Sequence, residues 1–142
     1  FQMPYQMWNK YIDYYKSDFH IIVPIMPGHY PNHAEDFISF SETAEEFESH
    51  SISKYGRDVF AVYAMSMGGV FAATLWQNGR LKIENLIFDG SPLIALNRFA
   101  EKMMLHFYLK VTHKSQQRDK KTLEQARKTC PEDIFDDFLK SA

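Results

Sequence analysis

The sequence predicts an α/β fold: parallel sheet strands joined by crossover helices, followed by a purely helical region. Three observations carry this reading. Up to residue 92, short β-branched apolar runs alternate with stretches of helical periodicity, the pattern of strand–helix–strand units with right-handed crossovers. After Pro92 no strand candidate follows. The charge also changes sign there: residues 1–93 carry 6 basic and 11 acidic side chains, and residues 94–142 carry 10 and 7. We therefore divide the chain into a sheet-bearing core, 1–93, and a helical subdomain, 94–142.

Each element has a local cause. Pro4 suits the first turn of a helix, and Trp8, Tyr11, Ile12 and Tyr15 form one apolar stripe. Phe19-His20-Ile21-Ile22-Val23 reads as a short buried strand closed by Pro24 and by Pro27-Gly28. Ser39 and Glu42 have the spacing of a capping box. A second helix then carries Ala44, Phe47, Ile52 and Tyr55 and ends near Gly56. Asp58 to Ala64 is the second buried strand. Val70 to Gln77 is apolar nearly all round and predicts a buried helix, stopped by Asn78-Gly79. Ile83 to Phe88 is the third strand, ending in Asp89-Gly90-Ser91-Pro92. Beyond it, Leu96 to about His113 traces a long helix, and Thr122 to Lys128 and Pro131 to Leu139 trace two shorter ones.

Composition narrows the function. The chain has 142 residues, 45% of them hydrophobic and 15% aromatic, with a formal charge of −2. That is a globular composition with no basic excess for nucleic acid or an anionic membrane. The longest strongly apolar run, Ile21 to Met26, is far short of the roughly 20 residues of a membrane span. The single cysteine, Cys130, makes no internal disulfide, so a cytoplasmic setting is the default.

The informative stretch is Val62-Tyr63-Ala64-Met65-Ser66-Met67-Gly68-Gly69-Val70. A serine stands at a sharp strand-to-helix turn, with a small residue two before it (Ala64) and two after it (Gly68). Such a turn brings strand and helix backbones close, so large side chains at those positions would clash. It also lifts the Ser66 hydroxyl above the C-terminal edge of the sheet. There the N–H groups of the helix start, notably that of Met67, face developing negative charge. On these residues the chain resembles the α/β-hydrolase family, whose nucleophile elbow is written G-x-S-x-G and stands here as A-M-S-M-G. The run Val23-Pro24-Ile25-Met26-Pro27-Gly28-His29, about 40 residues before the serine, resembles the strand and turn that precede that elbow. The alternative reading of the same turn is a phosphate-holding or purely structural βα turn. No G-x-G-x-x-G or Walker pattern accompanies it.

The resemblance spans Pro4 to Leu93. It implies a partial α/β-hydrolase fold followed by a helical cap. It also implies a serine hydrolase acting on a carboxylic ester or related acyl substrate, with Ser66 as nucleophile and the Met67 N–H in the oxyanion hole. No cofactor and no metal are implied. Asp89 is a candidate orienting acid, since some members place their acid at that strand end; the other reading is a turn aspartate bonded to its own backbone. His29 and Met65 are candidate substrate-pocket residues, and Phe99, Phe107 and Tyr108 of the cap would shape an apolar wall. His20, His33, His50, His106 and His113 read as surface or packed residues. The basic run from Lys110 to Lys128 reads as a solvated cap face.

In the family, the catalytic histidine follows the acid on later strands, and a His-Gly loop upstream supplies the second oxyanion donor. Neither is present here. The strand that would separate 19–25 from 58–64 is absent as well. The expectation is therefore an internal portion of a larger hydrolase, with little activity by itself, lacking about 30 residues before and about 80 after. A non-catalytic protein of the same fold, a binding module without the triad, is the alternative. Oligomeric state has no signature in the sequence.

Overall fold

The computed structural model describes residues 5–28, 36–91, 93–130, 132, 135 and 136. The chain forms two compact units, one made of 1–35 with 96–142 and the other of 36–95. The N-terminal segment is thus grouped with the helical region.

The second unit holds the sheet. Helix α2, Phe40–Tyr55, starts where the Ser39 hydroxyl accepts a hydrogen bond from the Glu42 N–H at 3.1 Å, which satisfies one of the donors a helix start leaves open. Strands β1, Asp58–Met65, and β2, Lys82–Asp89, pair in parallel, with Asp58 opposite Lys82 and Met65 opposite Asp89. Helix α3, Gly68–Asn78, connects them and ends at Gly79, whose φ of 64° is the left-handed cap that glycine takes without a Cβ penalty.

The core of this unit is Ala44, Ala64, Phe71, Ala72, Leu75 and Leu81. Phe47 of α2 meets Phe71 of α3 edge to face, with ring centroids 5.7 Å apart. α2 also buries polar groups. Glu48 is fully buried and Ser51 nearly so. Glu48 Oε2 accepts from Asn78 Nδ2 at 3.1 Å and lies 3.4 Å from Arg80 Nη1.

Two expectations are corrected here. β1 is not a buried strand: Phe60 and Tyr63 are exposed, as are Ile87 and Phe88 on β2 beside it. Burial of a parallel strand needs helices on both faces, and within this unit the helices packed on the sheet leave much of it open. α3 is likewise buried only along Gly69, Phe71, Ala72 and Leu75, while Trp76 is 62% exposed. Its all-round apolarity exceeds what its neighbours cover.

In the first unit, a short 3₁₀ turn at Tyr5–Trp8 leads into α1, Asn9–Tyr15. The strand expected over Phe19 to Val23 does not form. Residues 19–26 carry no regular secondary structure. β-branched residues favour a strand only when another strand accepts their hydrogen bonds, and Pro24 supplies no N–H. The fold is α/β with a two-stranded parallel sheet among the described residues. Helix α4, Arg98–Gln116, and helix α5, Lys120–Thr129, follow. Asp119 caps α5 by accepting from the Thr122 N–H. Ala126, Cys130 and Phe135 form a small cluster with Met7 against it. The expected helix from Pro131 to Leu139, and the helix start at Pro4, lie largely or wholly outside the described residues. No helix is long and apolar enough to cross a membrane among the described residues.

Candidate active site

β1 ends at Met65 and α3 begins at Gly68, leaving Ser66 and Met67 to make the whole turn. Ser66 has a φ of 51°. A left-handed backbone costs a residue with a Cβ about 1–2 kcal/mol, so the surroundings must hold it. They do so through three hydrogen bonds. The Ser66 N–H donates to the Asp89 carbonyl at 2.9 Å, one residue past the last paired rung of the sheet. The Gly69 N–H donates to the Ser66 carbonyl at 3.0 Å, and the Val70 N–H to the Met67 carbonyl at 3.1 Å.

The result is an exposed serine above the C-terminal end of the sheet. Met67 already has helical angles, φ −59° and ψ −29°. Among the described residues its N–H has no backbone acceptor, as befits the open first turn of a helix. Ser66 thus presents an exposed hydroxyl beside an N–H that has no backbone acceptor among the described residues, at the start of a helix.

The demand for smallness falls one residue away from where the sequence suggests. A Cβ on Gly68 would meet nothing within 4 Å, so Gly68 is not required to be small by contact. A Cβ on Gly69 would lie 2.2 Å from Ser91 Oγ and 2.3 Å from Ser91 Cβ. The close approach is between the first turn of α3 and the chain leaving β2, because β2 runs beside β1 and its exit passes under the helix start. Ala64, on the other side of the serine, is buried as expected, and its carbonyl accepts from Ser91 Oγ at 3.2 Å.

Asp89 ends β2 on the same edge as Ser66. Its carboxylate accepts from the Tyr63 hydroxyl, and no described histidine hydrogen-bonds to it. Nor does any described residue hydrogen-bond to the Ser66 hydroxyl. Met65 is half-buried at the end of β1. His29 and His33 lie outside the described residues. His20, His50, His106 and His113 are exposed, the last with its Nε2 2.9 Å from Gln117 Nε2. Phe99, Phe107 and Tyr108 are exposed along α4. No group of three His, Cys, Asp or Glu side chains suited to a metal occurs among the described residues. The sequence reading missed Tyr63 and Ser91. Their only signal is position, one on the strand entering the turn and one just past the strand beside it.

Neither a protein-family model nor a curated protein matches this sequence. One solved structure does, that of the "putative alpha/beta hydrolase family protein from Desulfitobacterium hafniense". The two superpose with a TM-score of 0.66 at 23% identity, over 75% of this chain and 44% of that one. The chain therefore spans less than half the length of that structure. At this identity the likeness is one of fold. The described chain shares its fold with part of that structure, and its two-stranded parallel sheet with helices is consistent with this.

Proposed function

We propose that this chain is the nucleophile-bearing portion of an α/β-hydrolase-type serine hydrolase acting on a carboxylic ester or related acyl compound. One observation carries the proposal: Ser66, exposed, holds a left-handed backbone between the end of β1 and the start of α3. Natural sequences keep such strain at functional sites.

In this reading Ser66 Oγ attacks the acyl carbonyl carbon, and its proton passes to a base from outside the described residues. The carbonyl oxygen becomes an oxyanion that accepts a hydrogen bond from the Met67 N–H. Collapse of the tetrahedral intermediate breaks the ester C–O bond, and the leaving alcohol takes the proton from the base. Water, deprotonated by the same base, then hydrolyses the acyl-serine and frees the carboxylate. No metal or cofactor enters these steps.

The test is hydrolysis of p-nitrophenyl acyl esters by the full-length protein. Ser66→Ala is expected to lower kcat by about 10³-fold or more. An equal rate in both proteins would refute Ser66 as the nucleophile, and no turnover in either would favour a binding protein of the same fold.

A further inference from the structure

We propose that the turn Asp89-Gly90-Ser91 is a positioning element for Ser66, with Ser91 as its principal residue; the inference rests on the reading of Ser66 as nucleophile. Two residues of one turn, Ser91 and Asp89, make three contacts with the chain before, at and after the serine. Ser91 Oγ donates to the Ala64 carbonyl at 3.2 Å, two residues before Ser66. The Asp89 carbonyl takes the N–H of Ser66 itself at 2.9 Å. Ser91 also fills the space over Gly69, where an added Cβ would come within 2.2 Å of its oxygen.

The turn is itself held. The Tyr63 hydroxyl binds the Asp89 carboxylate, so β1 grips Asp89 by side chain as well as by backbone. Gly90, with φ 56°, turns the chain so that Ser91 comes back under the helix start. Leu93 N–H donates to the Ser91 carbonyl at 3.0 Å and closes the bend.

A strained backbone persists only where its surroundings over-determine it. Here the elbow's two ends, Ala64 and Gly69, meet at a single side chain. Ser91 suits that place because it combines a hydroxyl for the Ala64 carbonyl with a volume small enough to sit against Gly69. Its oxygen is turned inward to a carbonyl, so it acts through Ser66 and not on substrate.

Two readouts of Ser91→Ala in the full-length protein test this. The first is the second-order rate at which a fluorophosphonate modifies Ser66 in folded protein, expected to fall about tenfold, since small misplacement of a reacting group costs that much. The second is amide hydrogen exchange of Ser66, normalised to the central amides of β1, expected to rise by a similar factor. A merely structural serine would lower the unfolding midpoint and leave both normalised readouts unchanged, and that result overturns the proposal. If the wild-type protein is not modified, the nucleophile reading falls. The Ser66 amide then still decides whether the turn holds this residue: faster exchange upholds the brace, and unchanged exchange overturns it.

Discussion

Gly69→Ala and Gly68→Ala differ by one position and by opposite expected outcomes. A Cβ at Gly69 would sit 2.2 Å from Ser91 Oγ, 2.3 Å from Ser91 Cβ and 3.3 Å from Phe88 Cδ1. Rotating the Ser91 side chain moves its oxygen but not its Cβ, so relief requires backbone movement of α3 or of the turn after β2. Overpacking of this kind costs about 1–3 kcal/mol. The gain in helix propensity from glycine to alanine, about 1 kcal/mol, offsets part of it. At Gly68 the same Cβ meets nothing within 4 Å, so only the propensity gain remains, and stability should rise by about 0.5–1 kcal/mol. The two variants should therefore be separated by about 1–3 kcal/mol in urea unfolding at constant m-value. Adding Ser91→Gly to Gly69→Ala removes both offending atoms and should recover part of the loss. Equal midpoints for the two single variants would refute the claim that α3 and the exit of β2 meet at Gly69.

Three further outcomes follow from the same geometry. Ser39→Ala removes the acceptor for the Glu42 N–H and should cost about 1 kcal/mol in thermal unfolding. Arg80→Ala leaves the buried Glu48 carboxylate with the Asn78 amide in place of its cation. Because Arg80 is partly exposed, the loss should be about 2–3 kcal/mol by urea titration, below the range for a fully buried pair, and Glu48→Gln in the same protein should restore part of it. The Asp119 carboxylate accepts from the Thr122 hydroxyl and from the Thr122 N–H, which hold its pKa below 3.8, with Lys114 and Lys121 adding to the shift. A depressed acid stabilises the fold fully above its unfolded pKa and loses that contribution as pH falls through the folded value. Protection of the Thr122 amide, relative to its intrinsic exchange rate at each pH, should therefore fall on acidification below about pH 4, and Asp119→Ala should abolish that fall.

Much of the second unit was legible because its signals are local. Ser39 with Glu42 marked the start of α2, Asn78-Gly79 marked the end of α3, and the serine turn stood between a β-branched run and an apolar helix. What escaped depends on contacts distant in sequence. Ile21-Ile22-Val23 has strand character, but strand character does not supply a neighbour to pair with. Glu48 lies on a helix face that polarity assigns to solvent; its buried carboxylate is met by Asn78 and Arg80, about 30 residues on. Of the adjacent glycines 68 and 69, the one that must be small is chosen by Ser91, which no motif around the elbow includes. Tyr63 was missed for the same reason, since its partner Asp89 stands on the other strand.

Mass spectrometry of the full-length protein after fluorophosphonate treatment tests the proposed nucleophile at the turn between β1 and α3. A single phosphonyl adduct is expected on the peptide containing Ser66, absent from Ser66→Ala. An unmodified peptide, or an adduct that survives that substitution, would contradict it.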